Sequence, residues 1–215
     1  MLEKKSTKKV TKKALIACAA AAIMTVGGVS AYFTATDTAT NTWTIGNVAI
    51  DLQEPEYDAS DKENIVPNQV LAKDPMVENT GTNDAFVFMK VSIPKASVKI
   101  AEADGTVSGP VLQELFDYSI DSGWVQISKQ EGTDNNTYVY AYAANGKCVS
   151  LAADASTPVL FKNGEIKFRN VVEGQLGSDV TIPVTAYGIQ TENLGSSGST
   201  APADVWAVLS GQISE

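Results

Sequence analysis

Residues 85–93 read Ala-Phe-Val-Phe-Met-Lys-Val-Ser-Ile, and this stretch decides the fold class of the 215-residue chain. Its apolar residues recur at every second position, which is the period of a β-strand. One face carries Ala85, Val87, Met89, Val91 and Ile93, and the other carries Phe86, Phe88, Lys90 and Ser92. The pattern therefore predicts a strand in this part of the chain.

The same period of two recurs on both sides of that stretch. It relates Val48, Ile50 and Leu52, then Tyr138, Tyr140 and Tyr142, and finally Val180, Ile182, Val184 and Ala186. Clusters of Asn, Asp and Gly, which favour turns, separate these segments at 79–81, 103–105, 132–136, 145–146 and 163–164. Several strands with such punctuation predict an all-β protein, an antiparallel jelly-roll-like β-sandwich that forms one domain over residues 32–215.

Helices are predicted to be few and short. Residues 111–118 place Leu112, Leu115 and Phe116 at helical spacing, which predicts a short helix or a loop. Near the C-terminus, Pro202 stands where the first turn of a helix accepts proline, and Val205, Val208 and Leu209 follow at intervals of three and four. This pattern predicts a terminal helix over residues 201–209 that packs on the sheets.

The N-terminus has the order of a secretory signal peptide. Six lysines precede a 13-residue apolar run, 14–26, and the small-residue triplet Val29-Ser30-Ala31 follows. A spanning helix needs roughly 20 apolar residues, so we expect export and cleavage, with no stable membrane anchor. Cleavage between Ala31 and Tyr32 by a signal peptidase gives a secreted chain that begins at Tyr32. Residues 15–18 also resemble a lipobox, but Cys18 lies inside the apolar run, which favours simple packing of the signal helix.

Charge excludes several partners. Without residues 1–31 the chain keeps 10 basic and 24 acidic residues, a net charge of −14 on 184 residues. Nucleic acid and anionic membranes repel such a chain, so neither is expected as a partner. Calcium is left open as a counter-ion, although no stretch matches an EF-hand loop, and no other cofactor is expected.

The chain contains no histidine, which restricts the catalytic machinery it can build. Zinc sites of the His-Glu-x-x-His type, Ser-His-Asp triads and Cys-His dyads are excluded, so we expect no enzyme. A Ser-Lys pair and a carboxylate pair stay open. Residues 121–123, Asp-Ser-Gly, resemble an aspartic-protease loop, but a turn is favoured because 79–81, their nearest counterpart, read Asn-Thr-Gly.

Two other features have structural and functional interpretations. Trp124, Tyr138, Tyr140 and Tyr142 could form a platform for glycans, but a sandwich core uses the same residues and is favoured. Cys148 is the only cysteine after residue 31, so no disulfide forms within the exported chain, and we expect a half-buried structural thiol there.

Four stretches carry a resemblance to a known family. They are Gly27 to Phe33, Thr36 to Leu52, Lys73 to Gly81 with Asp84 to Val87, and Ala186 to Gln190. In this order they resemble the camelysin/TasA family of secreted proteins that use a SipW-type signal peptidase. The resemblance implies a jelly roll exported by Gram-positive bacteria and assembled into biofilm-matrix fibres, in which the N-terminal segment of one subunit completes a sheet of the next. The camelysin label also implies a metalloprotease, which the absence of histidine ligands contradicts.

Residues 32–45 have the composition of such a donor segment. Apolar residues suited to anchor it, Tyr32, Phe33, Trp43 and Ile45, are separated by threonines, which favour extended backbone. Gly46 and Asn47 then predict a bulge or hinge. Pairing of this segment with its own domain and donation to a neighbour are equally compatible with the sequence.

The sequence predicts a secreted structural subunit that associates with itself and with other matrix proteins. Donation of a strand from each subunit to the next is a head-to-tail contact that does not close into a ring, so it predicts filaments. Two alternatives stay open, namely a camelysin-like extracellular metalloprotease and a monomeric adhesin or glycan-binding module.

Overall fold

The computed structural model describes residues 47–57, 64–174, 176, 180–194 and 198–213, all within the compact unit Thr44–Glu215. The predicted signal peptide, its cleavage site at Val29, Ala31 and Tyr32, and the predicted donor segment 32–45 lie outside the described residues. Those predictions therefore stay predictions.

The described part of the chain is built from β-strands and one C-terminal α-helix. The strands are β1 (Ile50–Gln53), β2 (Val70–Ala72), β3 (Met76–Asn79), β4 (Ala85–Ile100), β5 (Val111–Glu114), β6 (Phe116–Asp117), β7 (Trp124–Glu131), β8 (Asn135–Ala144), β9 (Lys147–Cys148), β10 (Glu165–Phe168), β11 (Val171–Gly174) and β12 (Val184–Gln190), and the helix is α1 (Pro202–Ser210). All pairings between these strands are antiparallel. The predicted all-β class is confirmed, whereas jelly-roll connectivity stays a prediction.

Strand β4 is the centre of the large sheet. It pairs with β8 and β11 along one edge and with β12 and β5 along the other, and β7 follows outside β8. Val87, Met89, Val91 and Ile93 point into the main core, whereas Phe86 and Phe88 point into a second apolar cluster on the opposite face. The alternation read from the sequence is confirmed, and both faces of this strand are apolar because both are covered.

The main core lies between the large sheet and two smaller ones. Strand β10 pairs with β2 and β6 in one small sheet, and β1 pairs with β3 in the other. Val77, Leu71, Phe116, Ile166 and Phe168 from these sheets join the β4 side chains in one buried cluster. Burial of this apolar surface is the main stabilising contribution to the fold.

The aromatic residues that could have formed a glycan platform belong to this core. Trp124, Tyr138 and Tyr140 are buried and Tyr142 is partly buried. The rings of Tyr138 and Tyr140 stack with centroids 6.1 Å apart, and those of Trp124 and Tyr142 lie 5.8 Å apart. The core interpretation favoured from the sequence is confirmed.

Helix α1 covers the second face of the large sheet. Val205 and Leu209 are buried against Phe86 and Phe88, and Pro202 occupies the first turn, as predicted. In the described part of the chain, no helix has the length and apolarity needed to cross a membrane.

The helix or loop predicted over residues 111–118 is wrong. These residues form β5 and β6, joined at Leu115, where the chain passes from the large sheet to a small one. The Leu115 N–H donates to Pro94 O at 3.0 Å, and its carbonyl accepts from Arg169 N at 2.9 Å. The helical spacing arose because Leu115 and Phe116, neighbours at the crossover, are both buried.

Two predicted strands begin later in the chain than expected. Strand β1 begins at Ile50, since Asn47 is held by hydrogen bonds to Thr82 instead of by a strand, and β12 begins at Val184, after Pro183. Pro183 has no N–H to donate, which removes one bond from the ladder where the strand starts.

The turns predicted at 103–105 and 145–146 are confirmed, whereas Asn135 and Asn136 of the predicted cluster 132–136 belong to β8. Asn79 ends β3, and its buried amide donates to the carbonyls of Asn83 and Leu151, both at 2.9 Å. A Cβ on Gly81 would lie 2.6 Å from Asn47 O and from Ala49 N, so only glycine fits there. In the other turn, Asp121 accepts a hydrogen bond from Gly123 N at 2.9 Å.

Candidate functional site

Among the described strands, none pairs with the outer edge of β12. In the antiparallel ladder with β4, the carbonyl of Pro183 accepts from Ser92 N at 3.1 Å. Because bonded and non-bonded pairs alternate, Thr185, Tyr187 and Ile189 also bond to β4, and the next residues point their N–H and C=O groups away from it. Those outward residues are Val184, Ala186, Gly188 and Gln190. Within the described residues β12 pairs with β4 alone.

The side chains of β12 leave this edge apolar and flat. Its sequence, Val-Thr-Ala-Tyr-Gly-Ile-Gln, carries no charge and no proline, and its register with β4 runs without a bulge. Val184 and Ala186 are only partly buried against the main core. An edge of this kind is a ready template for another strand.

Strand β7 forms the opposite edge of the large sheet. Unlike β12, it has a bulge and carries charged side chains. Its register with β8 shifts between Gln126 and Ser128, which places a bulge at Ile127. Lys129 and Glu131 are exposed, with their Nζ and Oε1 atoms 2.6 Å apart, and the hydrogen bond between them raises the pKa of Lys129 and lowers that of Glu131. Bulges and edge charges are devices that prevent pairing with another chain.

An apolar groove continues the β12 edge at its N-terminal end. It has a volume of about 310 Å³ and is lined by Glu54, Tyr57, Ile65, Leu71, Ala72, Lys73, Phe116, Val180, Thr181, Ile182 and Pro183. Lys73 and Glu54 form an ion pair there at 2.6 Å. Since the other lining side chains are mostly apolar, the groove suits an uncharged, apolar side chain.

The chain enters the domain at the end opposite to this groove. A Cβ on Gly188, near the C-terminal end of β12, would lie 3.0 Å from Ile50 Cγ2 and 3.4 Å from Val48 Cγ1. Strand β1 then runs to Gln53, and Glu54 lines the groove beside Val180. Asn47, the first described residue, therefore lies near the Gln190 end of β12 and not at the groove end.

The polar side chains inside the sandwich form a structural cluster. Glu114 on β5 accepts hydrogen bonds from Asn136 Nδ2 at 2.6 Å and Tyr138 OH at 2.5 Å, and from Tyr118 OH at 3.4 Å. Burial raises the pKa of Tyr118, Tyr138 and Tyr140, which keeps these phenols protonated. The cluster links β5 to β8.

No metal centre is visible in the part of the chain that the structure describes, where no three Asp, Glu, His or Cys side chains are grouped to hold an ion. Cys148 is buried among Phe86, Ala143 and other apolar residues, and burial raises the pKa of its thiol to about 11. A high pKa keeps the thiol protonated and unreactive at neutral pH.

The assembly residues predicted from the sequence, Tyr32, Phe33, Trp43 and Ile45, lie outside the described residues. The position of β12 at the edge of the sheet was not predicted from the sequence, because periodicity reveals a strand but not its neighbours. The sequence does contain one indication of this edge, because residues 184–190 are a run of seven without a charge in a strongly acidic chain.

Comparison with known proteins gave one match. Residues 6–109 match the protein family described as camelysin metallo-endopeptidase. No curated protein and no solved structure matched the chain.

Proposed function

Because the chain belongs, through residues 6–109, to the camelysin family, we propose that it is a secreted structural subunit of extracellular matrix fibres. The observation that carries this proposal is the charge-free outer edge of β12, with which no described strand pairs. In the proposed assembly, residues 32–45 of one subunit add to this edge as an extra strand of the neighbour's sheet. Main-chain hydrogen bonds then satisfy the outward groups of Val184, Ala186, Gly188 and Gln190.

The proposed donor segment is long enough for this role. Seven residues of β-strand span about 23 Å and fourteen span about 46 Å, at 3.3 Å per residue. Half of the segment therefore matches β12, and the remainder can cross between subunits or reach the groove. Its threonines favour an extended backbone, and it carries one charge, at Asp37.

The two ends of the domain give the proposed assembly a direction. The segment leaves its own domain at the Gln190 end, so in a head-to-tail arrangement it reaches the neighbour at the groove end. Ile45 and Trp43 then lie nearest the neighbour's groove, and Tyr32 lies towards its Gln190. This order makes the donor antiparallel to β12, and the repeat of a non-closing contact yields a filament.

Cleavage at Ala31 acts as the switch in this proposal. A chain still joined to residues 1–31 has a charged, apolar extension in front of the donor, which keeps it at the membrane during export. Because the donor segment becomes free only when cleavage releases the chain at Tyr32, assembly takes place after synthesis and outside the cell.

The test compares the chain 32–215 with two variants of it. One begins at residue 46, and the other replaces residues 32–45 by Gly and Ser at equal length. Electron microscopy at matched concentration is expected to show filaments for the chain 32–215 only. Filaments of the same width and repeat from either variant would contradict the proposal.

The family description supports a second candidate, a camelysin-like metallo-endopeptidase. This function predicts cleavage of casein by the purified chain 32–215, lost on addition of a chelator and restored by a divalent metal. Chelator-sensitive activity that co-purifies with the protein through successive columns would favour the enzyme. Absence of cleavage at all metal concentrations would remove this candidate.

A further inference from the structure

Helix α1 packs across the junction between the open edge strand and the centre of the sheet. Phe88 on β4 and Tyr187 on β12 are direct cross-strand partners. The Trp206 ring lies over both, with its centroid 5.3 Å from that of Phe88 and 5.5 Å from that of Tyr187. One helical side chain therefore contacts both strands of the ladder that holds β12.

The other contacts of α1 have the same arrangement. Val205 and Leu209 are buried in a cluster that includes Ile189 of β12 as well as Phe86 and Phe88 of β4. On the opposite face of β12, Gly188 is in contact with Ile50 of β1. Strand β12 is thus held by one ladder at its inner edge, by β1 on one face and by α1 on the other.

The helix depends on this docking for its own structure. It has nine residues, and no side chain caps its N-terminus at Ala201. Isolated helices shorter than about 12 residues are marginal in water. Docking and helix formation are therefore expected to be one event.

We propose that α1 is a brace for the assembly edge and that Trp206 is its principal positioning residue. The docked helix keeps β12 in register with β4, so that its outward backbone groups form a straight template. When α1 undocks, β12 loses one of its three supports and frays, and the template is lost while the main core persists. This inference rests on the proposed function for its consequence in assembly, but the bracing itself is a property of the monomer.

Cys148 provides a reporter for docking. It is buried in the cluster beneath α1, and its N–H donates to Thr200 O at 2.8 Å, directly before the helix. Undocking of α1 exposes the thiol. It is the only thiol in the chain 32–215, so the rate of its reaction with a disulfide reagent measures how often α1 is undocked.

The experiment uses monomeric chain 32–215 at low concentration with Trp206→Ala, Trp206→Phe and Gln212→Ala. Gln212 is exposed just beyond α1 and serves as the control. For Trp206→Ala we expect labelling of Cys148 to rise about tenfold or more, the factor that corresponds to a loss of about 1.4 kcal/mol of docking free energy. Trp206→Phe keeps an aromatic ring and should restore most of the protection, whereas Gln212→Ala should leave the rate unchanged.

Hydrogen exchange on the same samples locates the effect. In Trp206→Ala the amides of Thr185, Tyr187 and Ile189, which bond to β4, should exchange faster, while amides in the β7–β8 ladder keep their protection. Unchanged exchange in β12 would overturn the bracing role, even if Cys148 labelling increased. A loss of protection in β7–β8 as well would show that Trp206 supports the whole fold and would also overturn it.

Filament growth then tests the link to assembly separately. If the chain 32–215 forms filaments through β12, Trp206→Ala should slow their growth about tenfold or more, in proportion to the lost docking. If residues 32–45 prove dispensable for filaments, the proposed function fails, but the monomer measurements still decide whether α1 braces β12.

Discussion

The two edge strands of the large sheet, β12 and β7, differ in regularity and in charge. Strand β12 is short, straight and uncharged, and its outward N–H and C=O groups have no strand beside them among the described residues. Strand β7 is one residue longer, bulged at Ile127, and carries Lys129 and Glu131 near its end. The β7 edge is thus protected against pairing with another strand, whereas the β12 edge is not. A sheet that can accept a strand at one edge and is protected at the other favours growth along one axis over pairing at both edges.

Proline substitution in β12 should have the largest effect on assembly, because it removes an outward N–H from the edge strand. Ala186→Pro removes one outward N–H of β12 without removing a bond to β4, so the free energy of unfolding should change by no more than about 1 kcal/mol. Filaments, however, should be abolished. The matched control is Lys129→Pro, because Lys129 also points its N–H away from its ladder partner. Electron microscopy and thermal unfolding check both variants, and loss of filaments in Lys129→Pro alone would reverse the assignment of the edges.

Removal of an anchor should have the next largest effect. In a synthetic peptide of residues 32–45, Trp43→Ala is expected to weaken binding to the chain 46–215 about 30-fold, since buried aromatic anchors contribute about 2 kcal/mol or more to an interface. Thr40→Ala in the same peptide is the control and should change the affinity by less than about threefold. Titration calorimetry measures both. Equal affinities for the two peptides would remove Trp43 from the interface.

Replacing the charged side chains of β7 should make this edge able to pair with another strand. Lys129→Val together with Glu131→Val leaves the bulge but replaces the charges with residues that favour strands. Filaments of this variant should associate side by side, which is visible as a roughly twofold or greater increase in apparent width by electron microscopy. The single substitutions should have intermediate effects. Unchanged width would mean that the bulge alone protects this edge.

Salt should have the smallest effect. The chain from Tyr32 carries a net charge of −14, whereas β12 carries no charge. Raising the salt concentration from 0.01 M to 0.15 M shortens the screening length from about 30 Å to about 8 Å, so repulsion between subunits falls. Filament growth followed by light scattering should accelerate by a factor of about two to five. Slower growth at higher salt would indicate that attraction between charges drives assembly.

The sequence predicted the elements whose pattern is local. The alternation in 85–93 identified β4, and the spacing of Val205 and Leu209 after Pro202 identified α1. The crossover at Leu115 was misread because its burial depends on two sheets meeting there, which no local period records. A strand was predicted over 180–186, four residues before the observed β12, and its position at the edge of the sheet was not predicted, because neighbours in a sheet are set by the fold of the whole chain. The position of Trp206 over Phe88 and Tyr187 could not be predicted for the same reason.

The most direct test of the central claim is hydrogen exchange of filaments against monomers of the chain 32–215, read at single amides. The outward amides of Val184, Ala186, Gly188 and Gln190 should become strongly protected in the filament, because each gains a main-chain partner from the neighbour's residues 32–45. The outward amides of Gln126 and Lys129 on β7 should exchange at the same rate in both states. Protection that appears on β7, or filaments in which the β12 amides exchange as fast as in the monomer, would contradict the account.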